Sequence, residues 1–292
     1  MPRATGHGPR GHDRGSRFGG LTRYRPSRRA RSVWRMTTEA ELTPHPGGEA
    51  RARGAASTRR AVTRIGWTWI VLSSLAIAVY AVVPYLTASL GELSETGAGL
   101  AGNYEPLPAA VQAAFYAHIV AGGIALVVGP FQFWRGLRDR HRALHRWTGR
   151  TYLTAVGIAG VSALVMAPFN DAGLVGFFGF GALAVLWLAT GWQAYRAIRR
   201  RDVANHRAWM MRNFALTYAA VTLRLWIGVL IGVQVLPGGD VDFDAVFTNA
   251  YAAVPFLAWL PNLIVAEWLI RRRGLPSFRI SGATEATPAR RG

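Results

Sequence analysis

The chain has 292 residues, is 51% hydrophobic and carries a formal net charge of +19, with every Lys/Arg position filled by arginine. The absence of cysteine excludes disulfides, thiolate catalysis, Cys-ligated zinc and iron–sulfur clusters. So basic a balance would suit nucleic acid, but the arginines flank long apolar runs, as in a multi-pass membrane protein, and no nucleic-acid partner is expected.

Residues 1–64 contain 15 arginines against four acids, with many glycines and prolines and little apolar periodicity. They are expected to form a disordered, arginine-rich cytoplasmic tail flanking the first helix. Met36 opens a more ordinary protein start, TTEAELTPHPGG, so residues 1–35 are a candidate for upstream sequence outside the native protein. Six apolar segments follow, at about 65–86, 109–134, 148–168, 174–195, 209–236 and 245–270. Each reaches the roughly 20 residues that cross a bilayer as a helix, the one spanning form whose strand of backbone satisfies its own hydrogen bonds. The expected fold is an all-α integral membrane bundle of six transmembrane helices over 65–270, with a basic cytoplasmic tail at 271–292.

The connections alternate in charge. The first has Glu92, Glu95 and Glu105 and no arginine; the second, between Arg135 and Arg150, has six arginines. The turn at Asp171 has none, the stretch Arg196 to Arg207 has five, and the connection with Asp240, Asp242 and Asp244 has none. The last segment ends in Arg271, Arg272 and Arg273. The positive-inside rule therefore places both termini in the cytoplasm.

The two arginine-rich connections resemble each other. Aligning Gln132 with Gln193 pairs Trp134 with Tyr195 and His145-Arg146 with His206-Arg207. One inserted residue later, Arg150 meets Arg212 and Tyr152 meets Phe214. An internal repeat of a two-helix unit is expected, helices two and three forming one copy and helices four and five the other. Sites in such proteins often lie between the repeats.

His145 and His206, equivalent in this repeat, are candidates for the axial ligands of a b-type haem iron, with Arg146, Arg150 and Arg212 placed to meet propionates. The alternative is a pair of interfacial histidines at helix starts or against lipid phosphates. His141 with His145 and His206 would offer three nitrogens to a metal, although the surrounding arginines disfavour a dication. His118 shares a helix face with Gly122, Ala125 and Gly129, which admit close helix packing or a flat cofactor. Arg224 lies well inside the fifth segment, where an unpaired arginine costs at least about 2.5 kcal/mol. It demands either structural partners, such as carbonyls, Tyr218 or His118, or an anionic or carbonyl-bearing ligand such as a quinone.

The runs AHIVAGGIALVVGPFQF from Ala117, LHRWTGRTY from Leu144 and HRAWMMRNFALTY from His206, with the arginine at 224, resemble a bacterial family of predicted multi-pass membrane proteins, domain of unknown function 2306. The resemblance covers roughly 70–270 and implies a membrane protein with no assigned reaction, here expected in the bacterial cytoplasmic (inner) membrane. The residues point to a haem- or quinone-binding membrane redox protein. Alternatives are a non-enzymatic transporter or binder of a lipid or small hydrophobic or anionic molecule, and a structural or assembly partner.

Overall fold

The computed structural model describes the backbone of residues 46–277, apart from Ala98, Pro237 and Gly239, and side chains from Arg64 onward. Contacts divide the chain into residues 1–61 and 62–292, and the bundle is the second unit. Every regular element among the described residues is helical. Six stretches are long and apolar enough to cross a membrane: Arg64–Thr87, Ala109–Phe133, Arg142–Phe169, Gly173–Arg199, Val203–Val235 and Phe243–Arg272.

Helix α1 (Pro46–Thr87) contains the first span. Its backbone is helical through 46–64, part of the stretch expected as a disordered tail, where alanine and arginine dominate and no proline intervenes between Pro46 and Pro84. The start at Met36 and the remainder of both tails, 1–45 and 278–292, lie outside the described residues. Two short helices follow, α2 (Leu90–Glu95), opened by a Ser89–Glu92 capping box, and α3 (Ala101–Tyr104).

The second span is α4 (Ala109–Val128), tightened at its end into a 3-10 turn, Gly129–Phe133, by Pro130. The short α5 (Arg135–Arg140) leads to the third span, α6 (Arg142–Met166), and the fourth is α7 (Gly173–Arg199). The third span starts six residues before the apolar run does, because a helix continues unbroken into its charged interfacial turns. The fifth span comprises α8 (Val203–Thr217) and α9 (Ala219–Val235), and the sixth α10 (Phe243–Leu257) and α11 (Leu260–Arg272).

The core lies between spans two to six. Ala121, Ala125, Tyr152, Val156, Ala159, Trp187, Ala194 and Leu216 form its centre. Small side chains let the helices approach closely. At Gly129, a Cβ would sit 2.7 Å from the Phe214 ring and 3.0 Å from Tyr152, so only glycine admits this crossing. The first span stays peripheral, with Leu72, Val79 and Tyr80 exposed on its surface.

Candidate functional site

Contacts define two ends of the bundle. At the acidic end, Asn103 Nδ2 donates to Phe169 O (3.2 Å) and Leu100 N to Tyr85 Oη (2.9 Å), tying the first connection to the third. At the arginine-bearing end, spans five and six are joined by Arg212 and Glu267.

Midway lies a polar knot that sequence reasoning missed. Asn213 is fully buried, and its amide donates to Trp187 O (2.7 Å) and Thr190 Oγ1 (2.9 Å). Tyr152 Oη donates to Asn213 Oδ1 (2.7 Å) and lies 2.7 Å from Thr217 Oγ1. Trp187 Nε1 donates to Thr217 Oγ1 (2.9 Å). Three spans are thereby linked through side chains whose polar atoms all find partners, which a low-dielectric interior requires. Asn213 and Thr217, four apart on one helical face, were the available signal. Their partner Tyr152 lies 61 residues from Asn213 in the chain.

Beside this knot is His118. Its Nδ1 lies 2.9 Å from Ala159 O, so Nδ1–H donates, and in its neutral form the ring keeps a lone pair on Nε2 for another partner. The ring meets Trp187 edge to face at 6.4 Å. The charge of Arg224 acts on His118 from the fifth span. Arg224 itself is half-buried, and Nη1 donates to Ala220 O (2.8 Å). Among the described residues it has no carboxylate within ion-pair distance. The groups whose electrostatics reach it are phenols, Tyr80 and Tyr85 of α1 and Tyr251 of α10. Tyr251 stacks on Phe247 (5.8 Å) and faces Asp171, which also acts on Tyr104. Partial desolvation raises the Asp171 carboxyl from its ordinary pKa, although the residue is exposed. Polar groups on spans one, two and six, Tyr80 and Tyr85, His118 and Tyr251, thus lie within electrostatic reach of Arg224 on span five.

The other sequence candidates lie at the arginine-bearing end. His145 and His206 occupy the same place in their helices, each N–H bonding to the residue four before it, His141 O and Asp202 O, both at 3.0 Å. His206 Nδ1 is 2.9 Å from Ala194 O. The charges of Arg138 and His206 act on His145, whose Nδ1 is buried with no hydrogen-bond partner among the described residues. Arg146 is exposed, and Arg150 lies 5.4 Å from the Trp147 ring. Arg212 is 3% exposed: it grips Glu267 through Nε and through Nη2 (3.0 Å) and lies 4.6 Å from the Trp209 ring. The site residues therefore fall into two groups, His118 with Arg224, and His145 with His206 and its arginines. The three-nitrogen arrangement of His141, His145 and His206 does not form: among the described residues no group of three or more His, Asp or Glu side chains is placed to hold a metal ion, and His141 faces solvent at the N-terminus of α6.

No curated protein and no solved structure matches the chain. The model of one family, described as predicted membrane protein (DUF2306), matches residues 115–270. That stretch contains His118, the Asn213 knot, Arg224 and the Arg212–Glu267 pair, and it is more than half of the chain. The six helices long and apolar enough to cross a membrane agree with that description, and the chain belongs to the DUF2306 family of predicted membrane proteins.

Proposed function

We propose that this membrane protein binds a lipid-soluble quinone-class ligand between His118 and Arg224 and serves redox chemistry within the membrane. The observation that carries the reading is Arg224, a half-buried guanidinium in a span with no carboxylate partner among the described residues. A cation in this setting favours an oxygen bearing negative charge. His118, its tautomer set by Ala159 O, offers Nε2 to accept a hydroxyl proton. Together they suit a ring that carries a hydroxyl in one redox state and a carbonyl in the other. In this reading the protein lies in a bacterial cytoplasmic membrane, and the charge asymmetry of its connections supports putting the arginine-bearing end and both termini on the cytoplasmic side.

The test is thermal unfolding of the purified protein with ubiquinone and menaquinone analogues. Stabilisation of a few degrees near saturation is expected, and its loss in Arg224→Gln and His118→Leu. No stabilisation by any quinone, or stabilisation that persists in both variants, sinks the reading. Stabilisation by simple carboxylates instead, lost in Arg224→Gln, would make the protein an anion binder or carrier.

A second reading places a b-type haem between His145 and His206, flanked by Arg146 and Arg150. It is favoured by the fixing of His206 through Ala194 O, which leaves Nε2 free as a ligand, and by the proximity of His145. Haem-supplied protein would then show a Soret band that shifts or vanishes in His145→Ala and His206→Ala. A spectrum without the band excludes it.

A further inference from the structure

We infer that the arginine-bearing end holds anionic phospholipid headgroups, through a collar of arginines laid over outward-facing aromatic rings. Arg150 lies 5.4 Å from the Trp147 ring on the third span, Arg199 5.9 Å from Tyr195 on the fourth and Arg272 4.4 Å from Trp268 on the sixth. Arg199 also donates to the Tyr195 hydroxyl at 3.3 Å. The rings belong to the outer surface, with Trp147 65%, Trp268 51% and Tyr195 41% exposed. Aromatic side chains at span ends sit at headgroup level, so the guanidinium on each ring is held there too. A guanidinium held over a ring keeps N–H donors for a phosphate, which it can grip with two hydrogen bonds; Arg199, with one Nη1–H on the Tyr195 hydroxyl, keeps its others.

Charge complementarity identifies the occupant. This end carries six arginines from Arg135 to Arg150, five from Arg196 to Arg207 and three at 271–273. Its acids among the described residues are Asp139, Asp202 and Glu267, and all three are engaged. Asp139 accepts from Arg138 (3.2 Å), Asp202 caps α8 through Asn205 N (3.0 Å) and Glu267 holds Arg212. None is left for Arg150, Arg199 or Arg272. A soluble polyanion would need these charges on one face. Here they stand on three different spans, each beside an exposed ring at the apolar boundary, where the anion within reach is the phosphate of a lipid in the same leaflet.

The test uses the full chain in phosphatidylcholine nanodiscs with and without phosphatidylglycerol. Native mass spectrometry should show phosphatidylglycerol retained over phosphatidylcholine, and the protein should melt higher in its presence. The variant Arg150→Gln/Arg199→Gln/Arg272→Gln should retain phosphatidylglycerol roughly tenfold or more weakly, with phosphatidylcholine unchanged. In the unaltered protein, raised salt should weaken retention in the same direction, a readout independent of how the variant folds. Equal retention of the two lipids, salt-insensitive retention, a variant that holds phosphatidylglycerol as before, or a stabilisation reproduced by inorganic phosphate alone would each overturn the proposal.

Discussion

The Asn213 side chain ties three spans together through three polar groups, the Tyr152 hydroxyl, Trp187 O and Thr190 Oγ1, and removing its amide takes one hydrogen bond from each. Asn213→Leu is expected to destabilise the bundle by about 1–3 kcal/mol, read as a lower melting temperature in detergent, because the Tyr152 hydroxyl and Trp187 carbonyl lose partners in a dry interior. Arg212 poses a different problem, since its partner is charged. Arg212→Gln strands the Glu267 carboxylate, whereas Arg212→Met/Glu267→Met removes both charges, so the double variant should melt above the single one. At Asp202 the cap makes the carboxylate's stability contribution depend on pH. Hydrogen bonds from Asn205 depress its folded pKa below the unfolded value of about 3.9. Its contribution is therefore complete above that value and disappears as pH falls through the depressed one. Asp202→Asn keeps the cap and should flatten that part of the acid-unfolding profile; an unchanged profile would assign the pH dependence elsewhere.

Spans five and six are both interrupted, each for a physical reason. In the sixth, Pro255 and Pro261 bracket the break between α10 and α11, and neither can donate a backbone hydrogen bond. Trp259 Nε1 bridges the gap by donating to Pro255 O (2.8 Å) and Gly179 O (3.2 Å). In the fifth, no proline marks the break at Tyr218. Asn262 Nδ2 reaches across from α11 to Ala215 O (3.2 Å), the carbonyl that the Ala219 N–H would otherwise take, and to Thr222 Oγ1 (2.9 Å). Thr222 Oγ1 in turn donates to Ala258 O. Asn262→Leu should free Ala215 O and destabilise both breaks together, seen as faster amide exchange at 215–222 and 258–263 with the rest of the bundle less affected; uniform exchange changes would refute this local role. The spans themselves were legible, because length and apolarity suffice to mark them. The interruption of span five was not, since its cause is a side chain 47 residues away in the chain. Arg224 stood out in sequence as a lone charge in an apolar run, but its phenolic surroundings come from spans that only folding brings near.

For the molecule as a whole, the orientation rests on charge asymmetry, and the absence of cysteine makes it directly testable. Single-cysteine variants at Asp240 and Arg200 should react oppositely with a membrane-impermeant maleimide. Asp240→Cys should label in intact cells and Arg200→Cys only after permeabilisation, and the reverse pattern would invert the topology. The repeat alignment paired His145 with His206 in sequence, yet nothing local predicted that Arg212 would be seated on Glu267. The position of Arg224 has a further consequence, electrical in kind. A membrane potential acts on any charge that moves through it, by about 2.3 kcal/mol per elementary charge per 100 mV for a complete crossing. Arg224 lies on α9, beyond the break at Tyr218, and among the described residues no carboxylate pairs with it there to cancel the charge it carries. A tilt of α9 that carried Arg224 along the membrane normal would move that charge through the field and so do electrical work.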